Sequence, residues 1–132
     1  MNYNNSKYSF MWFLTAFIII GWMSVVKYLT LHSAVMDLGI FLFNIYKVSE
    51  MQTYGHILYG HTHLFLLPLG WFLSLFKAEY HPFVLLLIQS MVICAPIYFL
   101  HKRLGSIIAL SYFLFFPVWF NALFDFHFDH LA

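Results

Sequence analysis

Histidine and carboxylate side chains gather in two short stretches of a chain that is otherwise apolar. Three of the eight histidines fall in Tyr54-Gly55-His56-Ile57-Leu58-Tyr59-Gly60-His61-Thr62-His63, and Phe124-Asp125-Phe126-His127-Phe128-Asp129-His130 repeats the chemistry near the C-terminus. A lone acid, Asp37, sits in the apolar run that leads toward the first stretch. Ionisable groups in or near a bilayer are costly, which makes all three functional candidates. Imidazole and carboxylate together suit a Zn²⁺, Mn²⁺ or Cu²⁺ site, with His61, His63, His127 and Asp129 as the candidate ligands. His-x-His spacing is widespread, however, and the helical His-x-x-x-His pattern of metalloproteases does not occur here, so a purely structural or interfacial role for these histidines stays open. For Asp37 the alternatives are catalysis or substrate contact on one side and a solvated acid at the membrane surface on the other.

The elements that must position these groups are set by composition. The chain has 132 residues, of which 63% are hydrophobic, 23% aromatic and 8% charged, and its mean hydropathy is +0.81. Soluble domains carry roughly 25% charged residues. Six Lys and Arg with five Asp and Glu cannot cover the outside of a water-soluble fold, so lipid must be the outer solvent. The composition predicts an all-α integral membrane protein. A formal net charge of +1 speaks against nucleic acid as a partner, because such binding rests on clustered cations neutralising phosphates. The single cysteine, Cys94, allows no internal disulfide and no haem attachment motif.

Five apolar segments follow in order. Residues 10–26 form an uninterrupted run of about bilayer length, read as a retained anchor because no small-residue cleavage site follows it. Residues 31–48 place Ser33, Asp37 and Asn44 on one narrow helical stripe and read equally as an interfacial helix or a second span. Residues 64–76 are short and contain Pro68 and Gly70, which favours a re-entrant segment over a crossing. Residues 83–100 are a spanning helix with Pro96 as a kink, and residues 107–120 are a further span broken by Pro117. The whole is three to four transmembrane helices with an interfacial helix and a re-entrant segment. Isolated His32, His81 and His101 sit at segment ends, where an interfacial role is the expected one. The four tryptophans and many Phe and Tyr read as packing and belt residues.

Lys102-Arg103 is the only adjacent basic pair, and the tendency of cations to stay cytoplasmic orients the chain. With a re-entrant 64–76 segment, Asp37 and both histidine-bearing stretches then share the non-cytoplasmic side. If 64–76 crosses instead, the basic pair lies outside and the stretches separate.

The residues also carry a resemblance. Met36-Asp37-Leu38-Gly39-Ile40-Phe41, Gly60-His61-Thr62-His63-Leu64, Pro68-Leu69, the run from Leu85 through Gln89, Pro96-Ile97-Tyr98-Phe99-Leu100, Lys102-Arg103-Leu104-Gly105-Ser106 and Asn121-Ala122-Leu123-Phe124-Asp125-Phe126-His127 occur as ordered landmarks. Their order resembles the N-terminal part of a family of polytopic membrane proteins related to the GT-C glycosyltransferases, which include the dolichyl-phosphate-mannose-dependent mannosyltransferases. The resemblance implies a prokaryotic inner or plasma membrane protein that uses a polyprenyl-phosphate sugar as donor. It implies Asp37 as general base and His61, His63, Asp125 and His127 as substrate-binding groups. Family members continue through several further helices, so it also implies a fragment or split subunit. The rival expectation is a non-catalytic, metal-binding accessory subunit of a larger membrane complex. Under either, other integral membrane subunits are expected partners, approached through the small residues Gly105, Ser106, Ala109 and Ser111.

Overall fold

The computed structural model describes residues 3–30, 38–39, 42–43, 46 and 66–123, and every regular element among them is helical. Helix α1 runs Tyr3–Leu29, α2 Leu66–Leu73, α3 His81–Leu104, α4 Ser106–Leu114 and α5 Phe116–Leu123, with a short 3₁₀ turn at Ala78–Tyr80 before α3. At a rise of 1.5 Å per residue α1 is about 40 Å long, more than the roughly 30 Å of a bilayer core. Among the described residues two stretches, Ser6–Leu29 and Ala78–Leu104, are long and apolar enough to cross a membrane. A third qualifies if the bent pair α4 and α5 is one span. Helix α2 has eight residues and so covers only about 12 Å.

The observed helices overrun the apolar segments from which they are predicted. Helix α1 begins within the polar residues before Phe10, and α3 continues through His101, Lys102 and Arg103. Backbone hydrogen bonding depends on the chain's dihedrals and not on hydropathy, so a helix carries on until something stops it. At α3 that is Gly105, whose φ of 90° is a conformation that side chains resist. It lets the chain reverse within one residue. Residues 107–120, expected as one broken span, are two helices meeting at 54°. Phe115 is extended between them (φ −67°, ψ 116°). Pro117 then falls in the first turn of α5, where its missing N–H has no helical partner to lose. The Phe113 carbonyl, which residue 117 would address in a continuous helix, accepts the indole N–H of Trp119.

Side-chain contacts fix the directions of the helices. Ser6 Oγ lies 3.3 Å from Tyr98 Oη and Ser9 Oγ 2.8 Å from His101 Nδ1, joining the start of α1 to the end of α3. Tyr28 and Phe83 meet edge to face at 5.3 Å, joining the end of α1 to the start of α3. The two long helices are therefore antiparallel. The α4–α5 pair returns along α3: Tyr112 Oη donates to Ile93 O at 3.0 Å, and Gln89 Nε2 to Asn121 O at 2.9 Å.

Ala16, Ile20, Cys94, Ile97, Ala109 and Ala122 form the core between α1, α3, α4 and α5. Ala109 is fully buried there, and Gly105 is the turn itself. Ala109 thus serves the chain's own packing, contrary to the expectation that it admits a foreign helix, whereas space is open beside Gly105, and Ser106 and Ser111 are exposed. A second cluster, Leu38 with Leu73 and Leu85, ties α2 to the start of α3.

Gly21 marks the close approach of α1 to α3. A Cβ built there would lie 3.3 Å from Leu87 Cδ2 and 3.9 Å from Ser90 Cβ. Leu87 is partly exposed and its methyl can turn away, so Gly21→Ala should be tolerated. Gly21→Phe has no such relief and should cost about 1–3 kcal/mol by overpacking. Thermal unfolding in mild detergent should show a lowered midpoint for Gly21→Phe and a near-native one for Gly21→Ala.

Candidate functional site

Asp37, His61, His63, Asp125, His127 and Asp129 all lie outside the described residues. The structure instead gives the frame to which they are tethered. Leu38, next to Asp37, is buried against Leu73 and Leu85 beside the start of α3. The ring of Tyr46, eight residues before the first histidine stretch, lies 5.5 Å from that of His81, the first residue of α3. Thr30 follows the last turn of α1, and α5 ends at Leu123, one residue before the second stretch.

That last junction is held by three side chains from the two long helices. The final carbonyls of a helix have no partner within it, and in lipid each one left bare costs several kcal/mol. Here Gln89 Nε2 donates to Asn121 O at 2.9 Å, Ser24 Oγ to Ala122 O at 3.1 Å and Lys27 Nζ to Leu123 O. The Ser24 hydroxyl is shared with Ile20 O at 2.9 Å in its own helix. Because α5 runs parallel to α1, the negative ends of both helix dipoles come together at this point. Lys27 stands in the last turn of α1 and offsets both. Two largely apolar clefts flank it. One, of about 300 Å³, is lined by Trp22, Met23, Val26, Lys27, Thr30 and Leu123. The other, of about 350 Å³, lies against Lys27, Phe116, Trp119, Phe120 and Leu123.

Two buried polar atoms near this end lack a hydrogen-bond partner among the described residues, Gln89 Oε1 and His81 Nδ1. His81 is 6% exposed, covered by the chain itself at the start of α3. Its Nε2 lies 3.0 Å from Phe76 O, a partner that only accepts, so Nε2 is the donor, and Nδ1 has no partner among the described residues. An imidazole held in one tautomer by a backbone carbonyl is the form in which histidine accepts a proton or a metal. Among the described residues no three His, Cys, Asp or Glu side chains group together.

Ser24, Lys27, Gln89 and His81 were not candidate site residues on sequence grounds. The signal for three of them was present: Ser24, Lys27 and Gln89 are isolated polar residues within or beside spanning runs, where polarity needs a reason. No protein-family profile, curated protein or solved structure matches the chain.

The clamp on α5 can be tested directly. Lys27→Met keeps the aliphatic stem but removes the donor to Leu123 O, which should cost about 1–3 kcal/mol. Ser24→Ala should cost less, because its hydroxyl is shared. Denaturant unfolding in mild detergent should rank wild type above Ser24→Ala and Ser24→Ala above Lys27→Met.

Proposed function

We propose that this chain is part of a GT-C-like membrane glycosyltransferase acting on a lipid-linked sugar, with its polar stretches assembled on the non-cytoplasmic side. The observation that carries this reading is convergence. The end of α1, the start of α3 and the end of α5 lie at one end of the bundle, and segments 31–65 and 124–132 both continue from there. The antiparallel pairing of α1 with α3 supports the topology in which segment 64–76 dips in and returns. A crossing 64–76 segment, with 31–48 at the interface, would make α1 and α3 parallel. On this reading α1, α3 and the bent α4–α5 pair are the three spans, 31–48 lies at the interface and 64–76 is re-entrant.

The chemistry asked of the site is a displacement at an anomeric carbon. The acceptor oxygen forms a bond to that carbon as the bond from carbon to the phosphate oxygen breaks. Asp37 takes the acceptor's hydroxyl proton, and the electron pair leaves with the polyprenyl phosphate. His61, His63, Asp125 and His127 are assigned to the donor phosphate and the acceptor, the imidazoles as donors to the developing charge.

A second reading, a non-catalytic subunit of a larger membrane complex, is favoured by a separate observation. Only 28% of the apolar window of Ser6–Leu29 and 33% of that of Ala78–Leu104 are buried within the chain. The remainder is left to lipid or to other integral membrane subunits. Both readings agree in expecting membrane partners.

Transfer of sugar from a polyprenyl-phosphate donor by native membranes separates them. Asp37→Asn should lower the rate by about 10²–10⁴-fold at equal protein abundance, the usual range for a lost general base. Undiminished transfer with Asp37→Asn would remove the catalytic reading and leave the accessory one.

A further inference from the structure

The end of the bundle opposite the clamp has a different chemistry. Ser6 and Ser9 from α1 meet Tyr98 and His101 from α3 there, and Lys102 lies over the Tyr98 ring. His101 connects three helices: Nδ1 contacts Ser9 Oγ at 2.8 Å, Nε2 contacts Ser106 Oγ of α4 at 3.2 Å, and the ring stacks on Trp12 at 5.7 Å. Lys102 Nζ stands 5.4 Å from the centre of the Tyr98 ring, and Tyr98 Oη reaches Ser6. Lys7 follows Ser6 and Arg103 follows Lys102; both are exposed. Three of the six Lys and Arg side chains are thus gathered at one helix-bundle end. The single acid among the described residues, Glu79, precedes α3 at the other end. The remaining four acids fall in segments 31–65 and 124–132, which continue from that other end.

We infer that this end, built from Lys7, Lys102 and Arg103 with the hydroxyls of Ser6 and Ser106, binds the phosphate headgroup of an anionic membrane lipid, while His101 joins the helices that carry them. Charge complementarity carries the inference: cations and hydroxyl donors stand together, and among the described residues no carboxylate accompanies them. Their depth selects a lipid phosphate over a dissolved one. They lie where two long apolar helices leave the hydrocarbon, with Trp12 half-buried beside His101, and that is the level of headgroups. Contact with Tyr98 limits the freedom of Lys102 before any ligand arrives, so less ordering is needed on binding. The inference is independent of the sugar-transfer reading, since it concerns the opposite end of the bundle and no residue assigned to transfer.

Native mass spectrometry of the full chain in mild detergent, titrated with phosphatidylglycerol or phosphatidylcholine, tests it. Phosphatidylglycerol should be retained in preference to phosphatidylcholine, with retention weakening as salt rises. Each cation near an anionic headgroup is worth roughly fivefold in affinity, so Lys7→Gln/Lys102→Gln/Arg103→Gln should lose on the order of a hundredfold. Lys77→Gln, before α3, should lose nothing. These substitutions lie on exposed or half-exposed positions, and circular dichroism should report unchanged helicity. Equal retention of the two lipids, or an equal loss with Lys77→Gln, would overturn the inference. Full displacement of phosphatidylglycerol by millimolar inorganic phosphate would overturn the lipid assignment in favour of a free anion.

Discussion

A helix that ends inside an apolar bundle leaves carbonyl oxygens that no solvent can satisfy, and the architecture described here depends on how α5 meets that constraint. Three successive acceptors, Asn121 O, Ala122 O and Leu123 O, are taken by Gln89, Ser24 and Lys27. Each donor comes from a long helix, so the last turn of α5 is bound to both at once. The arrangement requires α4–α5 to return along α3 and parallel to α1, and it determines where the chain emerges at Leu123. Lys27 does this while standing at the C-terminal end of its own helix, where a cation is favoured in any case.

The return path relies on two local devices with different physics. Gly105 adopts a backbone conformation closed to other residues and turns the chain at once from α3 into α4. Pro117 interrupts the next apolar run at a place where Trp119 and Val118 can satisfy what is freed, giving a bend and not a loss of order. Between them the bundle acquires two chemically distinct ends. One carries Lys7, Lys102 and Arg103 with a set of hydroxyls; from the other continue the segments that hold Asp37 and the two histidine-bearing stretches. A membrane protein with its charge divided in this way has a preferred orientation.

The helical membrane character was legible in the sequence because length and apolarity of a run are enough to indicate a crossing, as at 10–26 and 83–100. Helix ends were less so: α1 starts early and α3 ends late, since neither polar flank contains a residue that stops a helix before Gly105. Ala109 looked like a contact for a foreign helix, yet it packs on Ile97 and Cys94, because smallness signals close approach without saying to which partner. The burial of His81 was not legible, since its place at a segment end does not reveal that Phe76 O and Tyr46 lie against it. Asp37, His61, His63, Asp125, His127 and Asp129 were legible as chemistry from residue type alone. Spacing does not encode how groups so far apart in sequence come together, and all six lie outside the described residues.

The central claim is that the two histidine-bearing stretches share one side of the membrane, opposite the basic end. Labelling of single cysteines with a membrane-impermeant maleimide, in a Cys94→Ser background, tests it most directly. With His61→Cys, His127→Cys and Arg103→Cys introduced one at a time into intact cells, the account predicts that positions 61 and 127 react from outside and position 103 only after permeabilisation. Labelling of positions 61 and 127 from opposite sides would contradict it.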